Sequence, residues 1–117
     1  MNNREYALLA AKVLDSKKAT DITVIDIMEK ASFADYMVIA TGTSSTHVKA
    51  LADEIEYKLD EAGVSVSHIE GYRSNTWILL DYVDVIVNVF SDEARKFYDL
   101  DRLWQDGKPV DLTGIID

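Results

Sequence analysis

The stretch WILLDYVDVIVNVF, Trp77–Phe90, holds two apolar runs joined at a short acidic corner. Trp77-Ile78-Leu79-Leu80 reads as one strand and Val85–Phe90 as the next. Asp81-Tyr82-Val83-Asp84 lies between them, short enough for a hairpin. Alternate residues of a strand face opposite sides, so Trp77 and Leu79 share a face with Asp81, and Ile78 and Leu80 share the other. The second strand sorts into Val85/Val87/Val89 and Ile86/Asn88/Phe90. Both faces are apolar. The hairpin therefore sits inside a sheet covered on two sides, or keeps one face for a partner.

Upstream, Tyr6, Leu9, Ala10, Val13 and Leu14 recur at helical spacing, which predicts an amphipathic helix over Asn3–Ser16. DITVIDIM, Asp21–Met28, alternates as a strand, and Asp35–Gly42 reads as a second, more buried one. Gly42 leads into Thr43-Ser44-Ser45-Thr46 and then a long helix from about Ser45 to Ala62, with Val48, Leu51, Ala52, Ile55 and Leu59 as its core stripe. Ser44 or Ser45 is the expected N-cap, and Gly63 the C-terminal stop. Val64–Ile69 reads as a third strand, and Glu70–Asn75 as a polar loop into the hairpin. Downstream, Asp92–Tyr98 reads as a short helix. Gly107-Lys108-Pro109 breaks the chain, leaving residues 108–117 as an expected loose tail. Helices and strands in this order favour a single α/β domain: a mixed sheet of about five strands flanked by helices.

Composition narrows the function. The 117 residues are 48% hydrophobic with one proline, which argues for a packed core, and the absence of cysteine excludes disulfides and thiolate metal sites. The polar start resembles no signal peptide, and no run approaches membrane-spanning length, so a cytoplasmic location and no membrane partner are expected. A net charge of −9, with basic residues scattered singly or in pairs, argues against a phosphate-tracking groove and for little direct nucleic-acid binding. It suits a basic protein partner.

Four features of the sequence are candidates for chemistry or binding. Gly42-Thr43-Ser44-Ser45 at a strand-to-helix turn is an anion-site candidate, but it lacks a Gly-Lys-Ser/Thr element, and a serine N-cap explains it. Asp81 and Asp84 converge on a metal only if the hairpin corner brings them together, and a tight acidic turn accounts for them equally. His47 and His68 are far apart, and His47 in the first turn of a helix reads as a surface residue. The aromatic and acidic set of Tyr72, Trp77, Tyr82, Tyr98 and Trp104 with Glu70, Asp81 and Asp84 is the candidate protein-binding surface, since Tyr and Trp anchor interfaces. No cofactor or metal is expected.

Asp35–Gly42 followed by His47-Val48-Lys49-Ala50-Leu51-Ala52 resembles the shared core of the ribosomal silencing factor (Iojap) family. So do Glu70-Gly71 and Trp77–Phe90, and Arg95–Leu100 with Leu103-Trp104 resembles the family's closing segment. The likeness runs from about Tyr6 to Gly107. It implies a domain similar to nucleotidyltransferases without their catalytic set, hence no enzyme. It also implies binding to the large ribosomal subunit through its fourteenth protein, blocked joining of the subunits, repression of translation when nutrients are scarce, and self-association as a homodimer. Asn88 and Phe97 depart from the family pattern, where histidine and tyrosine are expected. Trp77, Leu79, Asp81, Tyr82 and Asp84 are the expected contact centre, with Lys49, Glu70, Arg73 and Tyr98 around it. The rival readings are a magnesium-dependent nucleotidyltransferase using Ser44, Asp81 and Asp84, and a homodimeric adaptor using the same hairpin.

Overall fold

The computed structural model describes residues 1–116. The elements in chain order are α1 (Asn3–Ser16), β1 (Thr20–Asp26), β2 (Tyr36–Gly42), α2 (Ser45–Glu61), β3 (His68–Glu70), β4 (Trp77–Asp81), β5 (Val85–Ser91), α3 (Asp92–Tyr98), α4 (Leu100–Leu103) and β6 (Lys108–Pro109). The strands form one mixed sheet in the order β3-β4-β5-β2-β1-β6. Only β2 and β5 run parallel, with α2 in the connection between them. The α/β expectation holds, with six strands in place of about five.

The helix ends follow from local chemistry. The Asn2 side chain accepts from the Glu5 amide at 2.8 Å while the Glu5 carboxylate accepts from the Asn2 amide at 3.1 Å, a reciprocal cap that starts α1. Ser44 Oγ accepts from the His47 amide at 3.1 Å and starts α2. Both helices pack on one sheet face. There Ala7, Ala10, Leu14, Val48, Leu51, Ile55 and Leu59 meet Val24, Val38, Ala40, Ile78, Leu80, Val85, Val87 and Val89. The opposite face carries Ile25, Met37, Ile39, Ile86 and Phe90, and is covered only by short elements contributing Ile27, Ala34, Ala94, Leu100 and Trp104. Trp77 and Leu79 sit at its partly covered margin. The sheet is thus sealed on one side by two long helices and left open at one end of the other.

Two expectations are corrected. In place of the expected strand Val64–Ile69 there is a shorter one, His68–Glu70, because β4 ends at Asp81 and pairing starts with the Ser67 amide on the Asp81 carbonyl at 2.8 Å. Val64 and Val66 still pack against the core. Nor are residues 108–116 loose, while Asp117 lies outside the described residues. Lys108 and Pro109 pair with Asp26 and Ile25, the Val110 amide bonds the Val24 carbonyl at 2.8 Å, and Val110, Leu112, Ile115 and Ile116 join the core. Gly107 permits the approach, since a Cβ there would lie 2.5 Å from the Ile25 side chain. Proline is tolerated at this edge because its missing donor faces no strand. Among the described residues no helix is long and apolar enough to cross a membrane.

Candidate functional site

Register places the open face residue by residue. Trp77 lies opposite Phe90, Leu79 opposite Asn88 and Asp81 opposite Ile86, while Glu70 pairs with Leu79 and His68 with Asp81. Directly paired residues share a side, so His68, Glu70, Trp77, Leu79 and Asp81 all stand on the face away from α1 and α2. The indole of Trp77 stacks on Phe90 with centroids 4.9 Å apart, and Tyr98 at the end of α3 closes over it at 4.6 Å. Phe97 meets Tyr98 edge-on at 5.0 Å. Phe97 is 80% exposed and Tyr98 49%, so this aromatic run continues from core to solvent. Beside it Glu70, Gly71, Trp77 and Leu79 line a cavity of about 150 Å³.

Trp77 is held from beneath. Its Nε1–H donates to Asn88 Oδ1 at 3.0 Å, and the Asn88 amide nitrogen donates to Met37 Sδ at 2.8 Å and to the Val38 carbonyl at 3.4 Å. Asn88 is fully buried, so these bonds offset the cost of placing an amide in the core. The loop before β4 fixes the strand's start. The Ser74 hydroxyl lies 2.8 Å from the Gly71 carbonyl and 3.1 Å from the Trp77 carbonyl, and it accepts from the Thr76 and Trp77 amides at 3.3 Å. Gly71 has φ +74°, and a Cβ on it would fall 2.2 Å from the Trp77 carbonyl oxygen. Only glycine fits.

The acidic residues sort differently. Asp81 Oδ1 accepts from the Val83 amide at 2.7 Å and closes the hairpin corner, where Val83 has φ +73°. Asp84 is exposed while its carbonyl accepts from the Asp35 and Tyr36 amides. Glu70 is exposed and lies 3.4 Å from His68. Among the described residues no three histidine, cysteine or carboxylate side chains are grouped to hold a metal.

Tyr82 does not join this surface. It is 8% exposed and belongs to the core beneath α2, on the side of Ile78 and Leu80. Alternation continued one residue past Asp81 puts it there. Burial, followed by the charges of Glu56 and Asp60, raises its pKa. Lys49 lies on α2, with its ammonium 4.7 Å from the Tyr72 ring centre, and the Tyr72 hydroxyl donates to Asp53 at 2.8 Å. That trio clamps the Gly71–Thr76 loop to the helix. Arg73 is exposed on the same loop. Trp104 packs against Phe33 at 5.9 Å, apart from the Trp77 stack.

Two structural roles lay outside the sequence reading. Arg95 grips Asp101 through one guanidinium edge, Nε and Nη2, at 3.0 and 2.9 Å, and also donates to Thr41 and Thr23 at 3.0 and 3.2 Å and to the Asp21 carbonyl. It thereby fastens α3, which carries Tyr98, to β1 and β2. Its hydrogen bond holds the Asp101 carboxyl below the ordinary value. His47, expected as a plain surface residue, bridges α1 and the start of α2. Its Nδ1 accepts from the Thr43 amide at 2.8 Å, which leaves Nε2 to donate to the Lys17 carbonyl at 2.7 Å. With Ser44 engaged as a cap, the Thr43–His47 turn is committed to joining elements.

The geometry offers an aromatic anchor set on a rigid sheet, edged by carboxylates, the form of a protein-contact surface. A family model described as "Ribosomal silencing factor during starvation" matches residues 1–117. The ribosomal silencing factor of Halalkalibacterium halodurans is 35% identical over 116 residues, covering 99% of each chain. That of Bacillus subtilis is 38% identical over 112 residues, covering 96% of this chain and 95% of the relative. A crystal structure of a Chromobacterium violaceum protein superposes with a TM-score of 0.87 at 39% identity, covering 90% of this chain and 88% of that one. Taken with the mixed sheet, these matches show that the chain belongs to the ribosomal silencing factor family.

Proposed function

We propose that the protein binds the large ribosomal subunit through its fourteenth protein, prevents the small subunit from joining, and so represses translation under nutrient limitation in the cytoplasm. The observation that carries this reading is the aromatic run from half-buried Trp77 through Tyr98 to exposed Phe97, beside Leu79, on a sheet face that short elements cover incompletely. Trp77 and Leu79 supply apolar anchoring, while Glu70, Asp81 and Asp84 meet basic groups of the partner and orient it. Arg73 stands beside that centre on the loop that Lys49 and Tyr72 clamp to α2. Occlusion needs no bond chemistry, so the action is binding without catalysis.

Co-sedimentation with purified large subunits, followed by addition of small subunits, tests this. Binding with blocked joining, and loss of both in folded Trp77→Ala, is the expected result. A protein that stays in the supernatant at moderate salt, or whole ribosomes forming in its presence, refutes it. A stable dimer without ribosome binding would instead identify a homodimeric adaptor.

A further inference from the structure

Gly71 and Tyr72 are consecutive, yet they serve opposite faces of the sheet. Gly71 lines the cavity beside Trp77 and Leu79. Tyr72 reaches α2, which packs on the other face. There its hydroxyl donates to Asp53 at 2.8 Å, and the Lys49 ammonium stands 4.7 Å from its ring centre. The loop that starts here, residues 71–76, is wound too tightly to move piecemeal. The Ser74 amide donates to the Gly71 carbonyl at 2.9 Å, and the Ser74 hydroxyl joins that carbonyl to the backbone of Thr76 and Trp77. Gly71 packs so closely on the Trp77 carbonyl oxygen that no Cβ fits. A displacement of Tyr72 is therefore carried to Trp77, the first residue of β4. Between the loop and the first turns of α2 lies an open groove of about 400 Å³, with Ser45, Thr46 and Asp53 on the helix side and Asn75 on the loop side. The loop is thus not packed down on the helix along its length, and Tyr72 spans the separation.

We propose that Tyr72 is a positioning residue for the Trp77 contact surface: its tie to Asp53 and Lys49 holds the 71–76 loop, and through it the start of β4, in the orientation that presents the indole and the adjoining cavity to a protein partner. Resting on the reading of Trp77 as a partner contact, this couples the two sides of the sheet. Asp53 and Lys49 belong to α2, on the side away from the partner, yet they set the geometry of the side that meets it. A cation on an exposed ring and a phenol on an exposed carboxylate are each modest ties, so breaking them moves the loop without unfolding the domain. Whatever withdraws the charge of Lys49 or occupies Asp53 weakens the partner contact from behind.

The test uses the two indoles of the intact protein. The Nε1–H resonance of Trp77 reports its bond to Asn88, and that of Trp104, packed on Phe33 apart from the stack, is the internal control. Tyr72→Ala is expected to shift the Trp77 resonance while Trp104 stays in place, and to change the urea midpoint little. It should weaken co-sedimentation with large subunits about fivefold, within the span by which residues without ligand contact modulate binding. Tyr72→Phe, which keeps the ring beside Lys49, gives a smaller shift in the same direction. Lys49→Met also moves the resonance, and Lys49→Arg returns it, since a guanidinium serves over an aromatic ring as well as an ammonium does. An unmoved Trp77 resonance in Tyr72→Ala, or undiminished large-subunit binding by that variant, overturns the proposal. So does equal movement of both indoles with a fallen urea midpoint, the mark of a purely structural role. If the original protein itself fails to bind large subunits, the reading of Trp77 as the contact falls, while the two resonances still decide whether Tyr72 sets the start of β4.

Discussion

Trp77→Phe isolates the bond that seats the anchor. Phenylalanine keeps an aromatic ring against Phe90 and Tyr98 but removes the only donor, among the described residues, to Asn88 Oδ1. That oxygen belongs to a side chain 1% exposed, so water cannot replace the indole. Leaving a buried acceptor unmade costs about 1–3 kcal/mol. The Asn88 amide nitrogen keeps its own bonds to Met37 and Val38, so the loss is confined to one atom. Urea unfolding should show a lower midpoint with an unchanged slope. The companion variant Trp77→Phe/Asn88→Val removes both partners and should regain about 1 kcal/mol, because an apolar pair leaves nothing unsatisfied. A Trp77→Phe protein within about 0.5 kcal/mol of the original would refute the reasoning and show that the indole is held by stacking alone.

Other perturbations follow from the same geometry. Gly71→Ala must relieve a 2.2 Å approach to the Trp77 carbonyl at positive φ, so a loss of at least about 2 kcal/mol is expected in urea, together with weaker large-subunit binding. Arg95→Met removes charged hydrogen bonds from a nearly buried guanidinium and should cost about 2–3 kcal/mol at neutral pH. Because Arg95 lowers the folded-state pKa of Asp101, the stabilisation is complete above the ordinary value of 3.8 and is lost as pH falls through the lower folded value. The original protein should therefore weaken more steeply than Arg95→Met in acid titrations below that value. Tyr82→Phe deletes a buried hydroxyl without a partner and should raise stability by about 1 kcal/mol in urea, whereas a fall would reveal a bond to that oxygen.

The elements with local signals were legible. The bounds of α1 and α3 could be read to the residue, because the Asn2–Glu5 reciprocal cap and the acidic first turn after Ser91 are written in adjacent positions. Strand alternation sorted Trp77–Asp81 and Val85–Phe90 onto their observed faces. Tyr82 was misplaced because it was read as a loop residue, although alternation through Asp81 already pointed it inward. Lys108–Pro109 and Leu100–Leu103 are too short to show any period. The grip of Arg95 joins residues more than fifty positions apart, and no local pattern announces it. Phe97 stands at a helical offset from buried Ala94 yet points to solvent, because so short a helix does not sustain a stripe. The candidate residues were therefore visible as a set, while the clamping of Lys49 to the loop before β4 required coordinates.

The parallel pairing of β2 with β5 sets an order of events at synthesis. Tyr36 finds its partner Val85 only after about fifty further residues have been made, which takes several seconds at ordinary elongation rates. Until then β1 and β2 can form an antiparallel pair, but β2, apolar on both faces, presents a bare edge to the crowded exit of the ribosome. The nascent chain is thus at its most adhesive in the middle of its own translation. The arrival of the β4–β5 hairpin ends that interval, and the stretch that completes the sheet is the one that carries the anchor Trp77.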